Sequence, residues 1–147
     1  MKSLNLKSTE IFVSLIEQLK GNDHIKIEND PYMPLTIERI GDNISIPTGA
    51  GTLYSLCHYY KENGDLMQDP EMCFIAVDQR DKPEAWTEYY VFPYIFRLAN
   101  VGFYQESILF VNGKADKINK AMQADHTAFA NQWLVNLQDQ GFLNPKP

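Results

Sequence analysis

Residues 58–71 read HYYKENGDLMQDPE, and this segment separates two apolar runs. The flanking residues 52–60 and 72–77 are rich in aromatic and β-favouring residues, so each run predicts a β-strand. The segment between them concentrates the polar groups of the chain that are able to do chemistry. We therefore expect it to connect two paired strands, and it is the first place to look for a functional site.

The length of this connection depends on Pro70. Asn63 and Gly64 form the pair typical of a two-residue type I′ turn. Pairing the strands outward from that turn would place Pro70 inside the ladder, where it has no N–H to donate. We therefore predict a longer connection over about residues 61–70. In that register Cys57 faces Cys73 across the ladder, which favours two neighbouring buried thiols and leaves a disulfide as the alternative.

The acidic residues of this segment are candidate metal ligands. Hard divalent cations bind where several carboxylate oxygens converge, and Asp65, Asp69 and Glu71 would supply them. The spacing differs from that of an EF-hand, however. Asp65 and Asp69 are also suited to capping their own loop through nearby N–H groups. The sequence leaves cation binding, loop capping and acid–base catalysis open.

We take six residues of the segment as candidate ligand-binding or partner-binding residues: His58, Tyr60, Asn63, Asp65, Asp69 and Glu71. No catalytic residue is assigned, because the chain has no Walker, GxGxxG, HExxH, GxSxG or CxxC pattern. His58 also fits the role of a hydrogen-bonded structural histidine. His126, on the apolar stripe of a predicted helix, is expected in the core, and His24 on the surface.

Upstream of the segment, the sequence predicts one helix and several strands. Ser8 or Thr9 is expected to cap a helix that stops at Lys20 and Gly21. Residues 24–27 alternate like a half-buried strand. Residues 35–40 and 44–46 flank a Gly-Asp-Asn turn and predict a short hairpin.

Downstream, residues 86–92 predict an aromatic strand that ends near Pro93. Residues 94–101 fit either a short helix or a continued, bent strand. Residues 104–111 predict a last strand, and the apolar spacing of residues 115–140 predicts a long helix. Gly141 is expected to end that helix in a Schellman cap with Phe142 and Leu143.

Together these elements predict an α+β fold in a single domain over residues 1–147. A mainly antiparallel sheet of about six or seven strands packs against an N-terminal helix and a long C-terminal helix. The chain has the commonest size for one domain.

The composition limits the classes of partner. A net charge of −6 disfavours non-specific attraction to nucleic acid or to an anionic membrane. The sequence has no signal peptide and no apolar run near the roughly 20 residues that span a bilayer, so we expect a cytoplasmic protein. A protein partner is the expectation, and a homodimer stays open.

Two motifs resemble those of a family of uncharacterised small bacterial proteins. They are HYYxxNGDLMxDPEM over residues 58–72 and WxxNLxxQGF over residues 133–142. Members of that family are encoded on plasmids, phages and integrative conjugative elements, and the family has no assigned activity. The resemblance implies an accessory protein of a mobile element, which assists DNA transfer or replication control or counters a host defence.

We therefore expect a non-catalytic accessory or regulatory protein that presents residues 58–71 to a protein partner, with no cofactor. The alternative is a divalent-cation-dependent enzyme that processes nucleic acid. In that case Asp65, Asp69 and Glu71 would bind the cation and His58 would transfer a proton.

Overall fold

The computed structural model describes residues 1–145, which form an eight-stranded sheet with two α-helices. The helices are α1 (Leu6–Ile16) and α2 (Lys120–Asp139). The strands are β1 (His24–Asn29), β2 (Tyr32–Ile46), β3 (Gly49–Glu62), β4 (Asp65–Asp78), β5 (Tyr89–Leu98), β6 (Phe103–Glu106), β7 (Ile108–Val111) and β8 (Lys114–Ile118). Short 3-10 helices cover Glu17–Leu19, Trp86–Glu88 and Ala99–Val101. The predicted α+β class is confirmed.

Strands β1 to β6 form an antiparallel meander in which each strand pairs with the next. The strand order is β6-β5-β4-β3-β2-β8-β7, and β1 also pairs with β2. Strand β8 joins β2 in parallel through the single pair Ser45 and Lys114. Because neighbouring strands of the meander run in opposite directions, the β1–β2, β3–β4 and β5–β6 connections all lie at the same end of the sheet.

Both faces of the sheet are covered. On the face that we call the helix face, α1 and α2 pack onto the larger core, where the Phe12 ring lies 5.0 Å from that of Phe74. On the opposite face, the β7–β8 hairpin contributes Ile108 and Phe110 to a second core with Ile75 and Phe92. The predicted helices therefore cover one face, and a hairpin that the sequence did not indicate covers part of the other.

Helix α1 begins earlier than predicted. Asn5 is its N-cap, and the Asn5 side-chain oxygen accepts a hydrogen bond from the Ser8 N–H at 2.8 Å. The predicted caps, Ser8 and Thr9, are wrong, because both lie buried within the helix. The predicted stop is confirmed, since Lys20 and Gly21 take positive φ values of 48° and 86°.

The predicted hairpin within residues 35–46 is also wrong, because β2 is one strand along that whole length. Residues 35–39 pair with residues 54–58 of β3, and residues 44–46 pair with residues 49–51. The Gly-Asp-Asn segment forms an irregularity in the β2–β3 ladder instead of a turn. Asp42 stabilises it by accepting hydrogen bonds from the Asn43 N–H and the Thr52 hydroxyl.

Three further boundaries differ from the prediction. Residues 86–88 form a 3-10 helix, and β5 runs through Pro93 to Leu98, so most of the open segment 94–101 continues the strand. The predicted strand 104–111 is divided at Ser107 into β6 and β7. Residues 114–118 form β8, which moves the start of α2 from 115 to Lys120. Asn119 caps this helix through the Met122 N–H.

The predicted Schellman cap at the end of α2 is confirmed. The Phe142 N–H donates to the Leu137 carbonyl at 3.1 Å, and the Gly141 N–H donates to the Gln138 carbonyl at 3.0 Å. The Asn29 side-chain amide donates to the Gln140 carbonyl at 2.7 Å. The cap therefore joins the end of α2 to the end of β1.

Substituting Gly141 should cost more than the backbone conformation alone explains. Gly141 and Gly21 both have φ of +86°, but an added Cβ lies 2.8 Å from the Asn29 amide nitrogen only at Gly141. We expect Gly21→Ala to lower the free energy of unfolding by about 1 kcal/mol and Gly141→Ala by about 2 kcal/mol or more. Urea denaturation of both variants measures the difference, and equal losses would contradict this description of the cap.

Candidate functional site

The β3–β4 hairpin closes with a tight turn at Asn63 and Gly64. Both residues have positive φ values, 53° and 85°, as a type I′ turn requires. The flanking residues Glu62 and Asp65 already pair across the ladder. The predicted longer connection over residues 61–70 is therefore wrong, and the turn that Pro70 seemed to exclude is the one that forms.

A β-bulge accommodates Pro70. Cys57 pairs with Glu71 and Tyr59 pairs with Gln68, so two residues of β4, Asp69 and Pro70, lie opposite His58 alone. A bulge leaves one residue outside the regular ladder, and this is where a strand tolerates a proline.

The bulge shifts the pairing of the two cysteines. Cys57 faces Glu71, and Cys73 faces Ser55, so the predicted pairing of Cys57 with Cys73 is wrong. Both cysteines are buried free thiols, as the favoured prediction had them. Burial raises the pKa of Cys73 to about 12 and raises the pKa of Cys57 well above its ordinary value. At neutral pH both thiols stay protonated, which is the unreactive form.

His58 is a buried residue of the helix face. Its Nδ1 lies 3.0 Å from the Pro34 carbonyl oxygen, an acceptor, so this nitrogen carries the proton. The ring packs against Trp133 of α2 and Phe142 of the helix cap, with centroid distances of 5.8 and 5.7 Å. Burial lowers the pKa of His58. His58 thus links β2, β3 and the end of α2.

Glu71 lies on the opposite face of the sheet, in line with Cys73. Its Oε2 accepts a hydrogen bond from the Ser55 hydroxyl at 2.8 Å, and its Oε1 lies 3.9 Å from Arg97 Nη1. Glu71 is therefore held by neighbours on β3 and β5, and it points away from the side of the sheet that buries His58.

The other candidate residues are distributed along the hairpin. Asn63 and Asp65 are exposed at the turn, and Asp69 is half-buried at the bulge. The Tyr60 hydroxyl lies 3.5 Å from the Glu62 carboxylate. The structure does not bring Asp65, Asp69 and Glu71 together. Among residues 1–145, no group of three or more His, Cys, Asp or Glu side chains is arranged to hold a metal ion.

The other two histidines lie where the sequence predicted. His126 is buried, with Nδ1 2.9 Å from the Ser107 hydroxyl and Nε2 3.0 Å from Gln105 Oε1. Burial lowers its pKa as well. His24 is exposed on β1. His126 therefore attaches α2 to the junction between β6 and β7.

The sequence analysis missed a group of exposed apolar side chains at the end of the sheet that carries the β3–β4 turn. We call this group the tip surface; its members are Tyr32, Met33, Leu66, Val101, Phe103 and Tyr104. They flank the β1–β2, β3–β4 and β5–β6 connections. The only signal in the sequence was the presence of large apolar residues directly beside predicted turns.

An open groove of about 610 Å³ runs across part of the tip surface. Residues 66–68 of β4 form one wall, and the β5–β6 turn with Phe103 and Tyr104 forms the other. Arg97 is the charged residue of its lining. The groove is thus apolar and aromatic, with one guanidinium.

The site is therefore a surface of hairpin tips on an α+β scaffold and lacks a cluster of titratable groups. The chain belongs to the family described as "Domain of unknown function (DUF6908)", whose model matches residues 8–143. No curated protein and no solved structure gives a significant match to the chain. None of the helices in residues 1–145 has the length and apolar character needed to cross a membrane.

The separation of the acids predicts weak metal affinity. Because Asp65, Asp69 and Glu71 point to different places, we expect no saturable heat when Mg²⁺, Mn²⁺ or Ca²⁺ is titrated in a calorimeter at millimolar concentration. The Asp65→Asn/Asp69→Asn variant should behave identically. Saturable binding that this double variant abolishes would contradict the geometry.

The buried histidines predict a loss of stability in mild acid. The lowered pKa values of His58 and His126 mean that the unfolded chain takes up protons near its ordinary pKa of about 6.5, while the folded chain resists them. The free energy of unfolding should therefore fall as the pH drops below about 6.5, by at most about 1.4 kcal/mol per histidine per pH unit.

Urea denaturation at several pH values measures this dependence. His58→Asn, whose amide nitrogen replaces Nδ1 as the donor to Pro34, should reduce the slope. The exposed control His24→Asn should leave the slope unchanged. Equal slopes in the wild type and His58→Asn would contradict the assignment of His58 as a buried neutral histidine.

Proposed function

We propose that this protein is a non-catalytic binding protein that presents the tip surface, with the hairpin of residues 58–71 at its centre, to a protein partner. One observation carries the proposal. Of the eleven exposed large hydrophobic side chains in the part of the chain that the structure describes, six belong to the tip surface. A concentration of exposed apolar side chains at one place is typical of interaction sites.

The residue types of the tip surface suit a protein interface. Tyrosine, phenylalanine, methionine and arginine are enriched in the buried centres of protein–protein interfaces, and they supply most hot spots. The tip surface contains Tyr32, Met33, Phe103 and Tyr104, and Arg97 lines its groove. Three hairpin connections hold these side chains on one sheet, so binding needs little ordering of the chain.

The charges beside the tip surface indicate the polarity of the partner. Asp30, Glu62 and Asp65 lie in the hairpin connections, and Lys61 is the cation among them. Three acids against one lysine give this rim a net negative charge. A partner with basic residues around an apolar centre fits it, and its association rate should fall with increasing salt.

The geometry favours binding over the cation-dependent enzyme. That enzyme needs Asp65, Asp69 and Glu71 around one cation with His58 within reach, whereas His58 and Glu71 lie on opposite faces of the sheet. His58 also uses Nδ1 for Pro34 and packs its ring against aromatic side chains. We therefore assign the hairpin a recognition role.

The cellular context is part of the proposal. The resemblance of the two sequence motifs to proteins of plasmids, phages and conjugative elements supports an accessory role in the bacterial cytoplasm. A partner of such a protein belongs to DNA transfer, replication control or host defence.

Two charge-introducing variants test the proposal. Leu66→Asp/Val101→Asp alters tip residues with 57% and 69% exposure, and the matched control Leu109→Asp/Val111→Asp alters β7 residues with 41% and 52% exposure. Each variant, checked for folding by circular dichroism, is used for crosslinked affinity capture from the natural host. We expect the wild type and the control to capture a partner that the tip variant loses at least tenfold. Equal capture by both variants, or no partner for the wild type, would refute the proposal.

A further inference from the structure

We propose that the groove beside β6 binds an extended segment of the protein partner, which adds to the sheet as a strand next to β6 and places an acidic side chain on Arg97. This inference rests on the proposed function and specifies how the partner is recognised. Three features of the structure support it: an edge strand, an arginine without a close partner, and aromatic side chains on both faces of that edge.

Strand β6 is a terminal strand of the sheet. It pairs with β5 on one side through residues 103–106, and the strand order ends there. The outer side of a terminal strand presents backbone N–H and C=O groups that another extended chain can pair with. Several peptide-binding domains use this mode, in which backbone hydrogen bonds give affinity and alternating side chains give specificity.

Arg97 differs from the other two arginines of the chain. Arg39 donates to Asp42 at 2.7 Å, and Arg80 donates to Asp78 at 2.9 and 3.0 Å. The Arg97 guanidinium is 3.9 Å from the Glu71 carboxylate and 5.9 Å from the Tyr104 ring, both beyond hydrogen-bond distance. Its side chain is 40% exposed.

The loose contact with Glu71 has a geometric cause. Arg97 and Glu71 pair directly across β4 and β5, but the carboxylate of Glu71 turns towards Ser55 on β3. The guanidinium therefore keeps its planar donor group for a ligand in the groove. A carboxylate is the group that matches this donor geometry, because it accepts two parallel hydrogen bonds from an arginine.

Aromatic side chains frame the edge on both faces. Tyr104 lies beside Arg97 on the opposite face. Phe103 projects to the helix face and contacts Phe96, which in turn packs on the exposed Phe129 of α2. An added strand alternates its side chains between the two faces, so it meets Tyr104 and Arg97 on one face and the phenylalanines on the other. An extended peptide with an acidic residue among apolar residues fits this arrangement.

Selection from a displayed random-peptide library tests the proposal. We expect the wild type to select extended peptides with Asp or Glu at one fixed position among apolar residues. Arg97→Gln should weaken the selected peptide about tenfold or more, whereas Arg39→Gln, a matched control at 42% exposure, should change it less than twofold. Replacing the peptide acid by its amide should weaken wild-type binding but not Arg97→Gln binding further.

Hydrogen exchange tests the strand addition itself. The selected peptide should slow amide exchange in β6 and leave β7, the terminal strand at the other end of the strand order, unchanged. Selection without an acidic position, equal effects of Arg97→Gln and Arg39→Gln, or no new protection in β6 would overturn the proposal. An amidated peptide C-terminus that alone abolishes binding would also overturn it, because the terminal carboxylate would then be the group recognised.

The two proposals fail in different ways. If Leu66→Asp/Val101→Asp loses the natural partner while Arg97→Gln retains it, the tip surface binds but the groove of β6 does not receive an acidic strand. If no partner depends on the tip surface, the proposed function fails first.

Discussion

Two residues of β4, Asp69 and Pro70, lie opposite the single residue His58 of β3, and the placement of every polar group in the hairpin depends on this mismatch. Beyond the bulge, the strands continue in regular pairing to the Asn63–Gly64 turn. Towards the core, the same bulge sets the register that puts His58 against α2 and Glu71 on the other face. A one-residue change of register would reverse these faces.

The bulge also explains why the hairpin extends beyond the packed cores. Residues near Leu56, Phe74 and Ile75 are buried on both faces of the sheet, by the helices on one side and the β7–β8 hairpin on the other. Past the bulge, both coverings end and exposed residues such as Leu66 remain. The scaffold is thus rigid where the chain is buried, and it presents an apolar, acid-rimmed end to its surroundings. Such a surface is suited to recognition, because the cost of ordering it has already been met in folding.

Local patterns predicted the class of fold and much of its order. The periodicity of α1 and α2, the Schellman cap at Gly141 and the pairing of β3 with β4 all rest on neighbours within a few residues of one another. The errors arose where a distant strand decides the local conformation. Gly41 to Asn43 resembles a turn until β3 pairs on both sides of it, and β8 lacks a strong strand pattern because its pairing with β7 and β2 creates it. The candidate acids were identified by type, but their direction depends on the bulge, which no spacing in the sequence reveals.

The register of the β3–β4 hairpin is the central claim, since the faces of His58 and Glu71 and the position of the tip surface follow from it. Cross-strand nuclear Overhauser contacts in the isotope-labelled protein measure this register most directly. The structure predicts backbone contacts between Tyr59 and Gln68, between Lys61 and Leu66, and between Cys57 and Glu71. Contacts between Cys57 and Cys73 as a directly opposed pair, with none between residues 59–62 and residues 65–68, would contradict it.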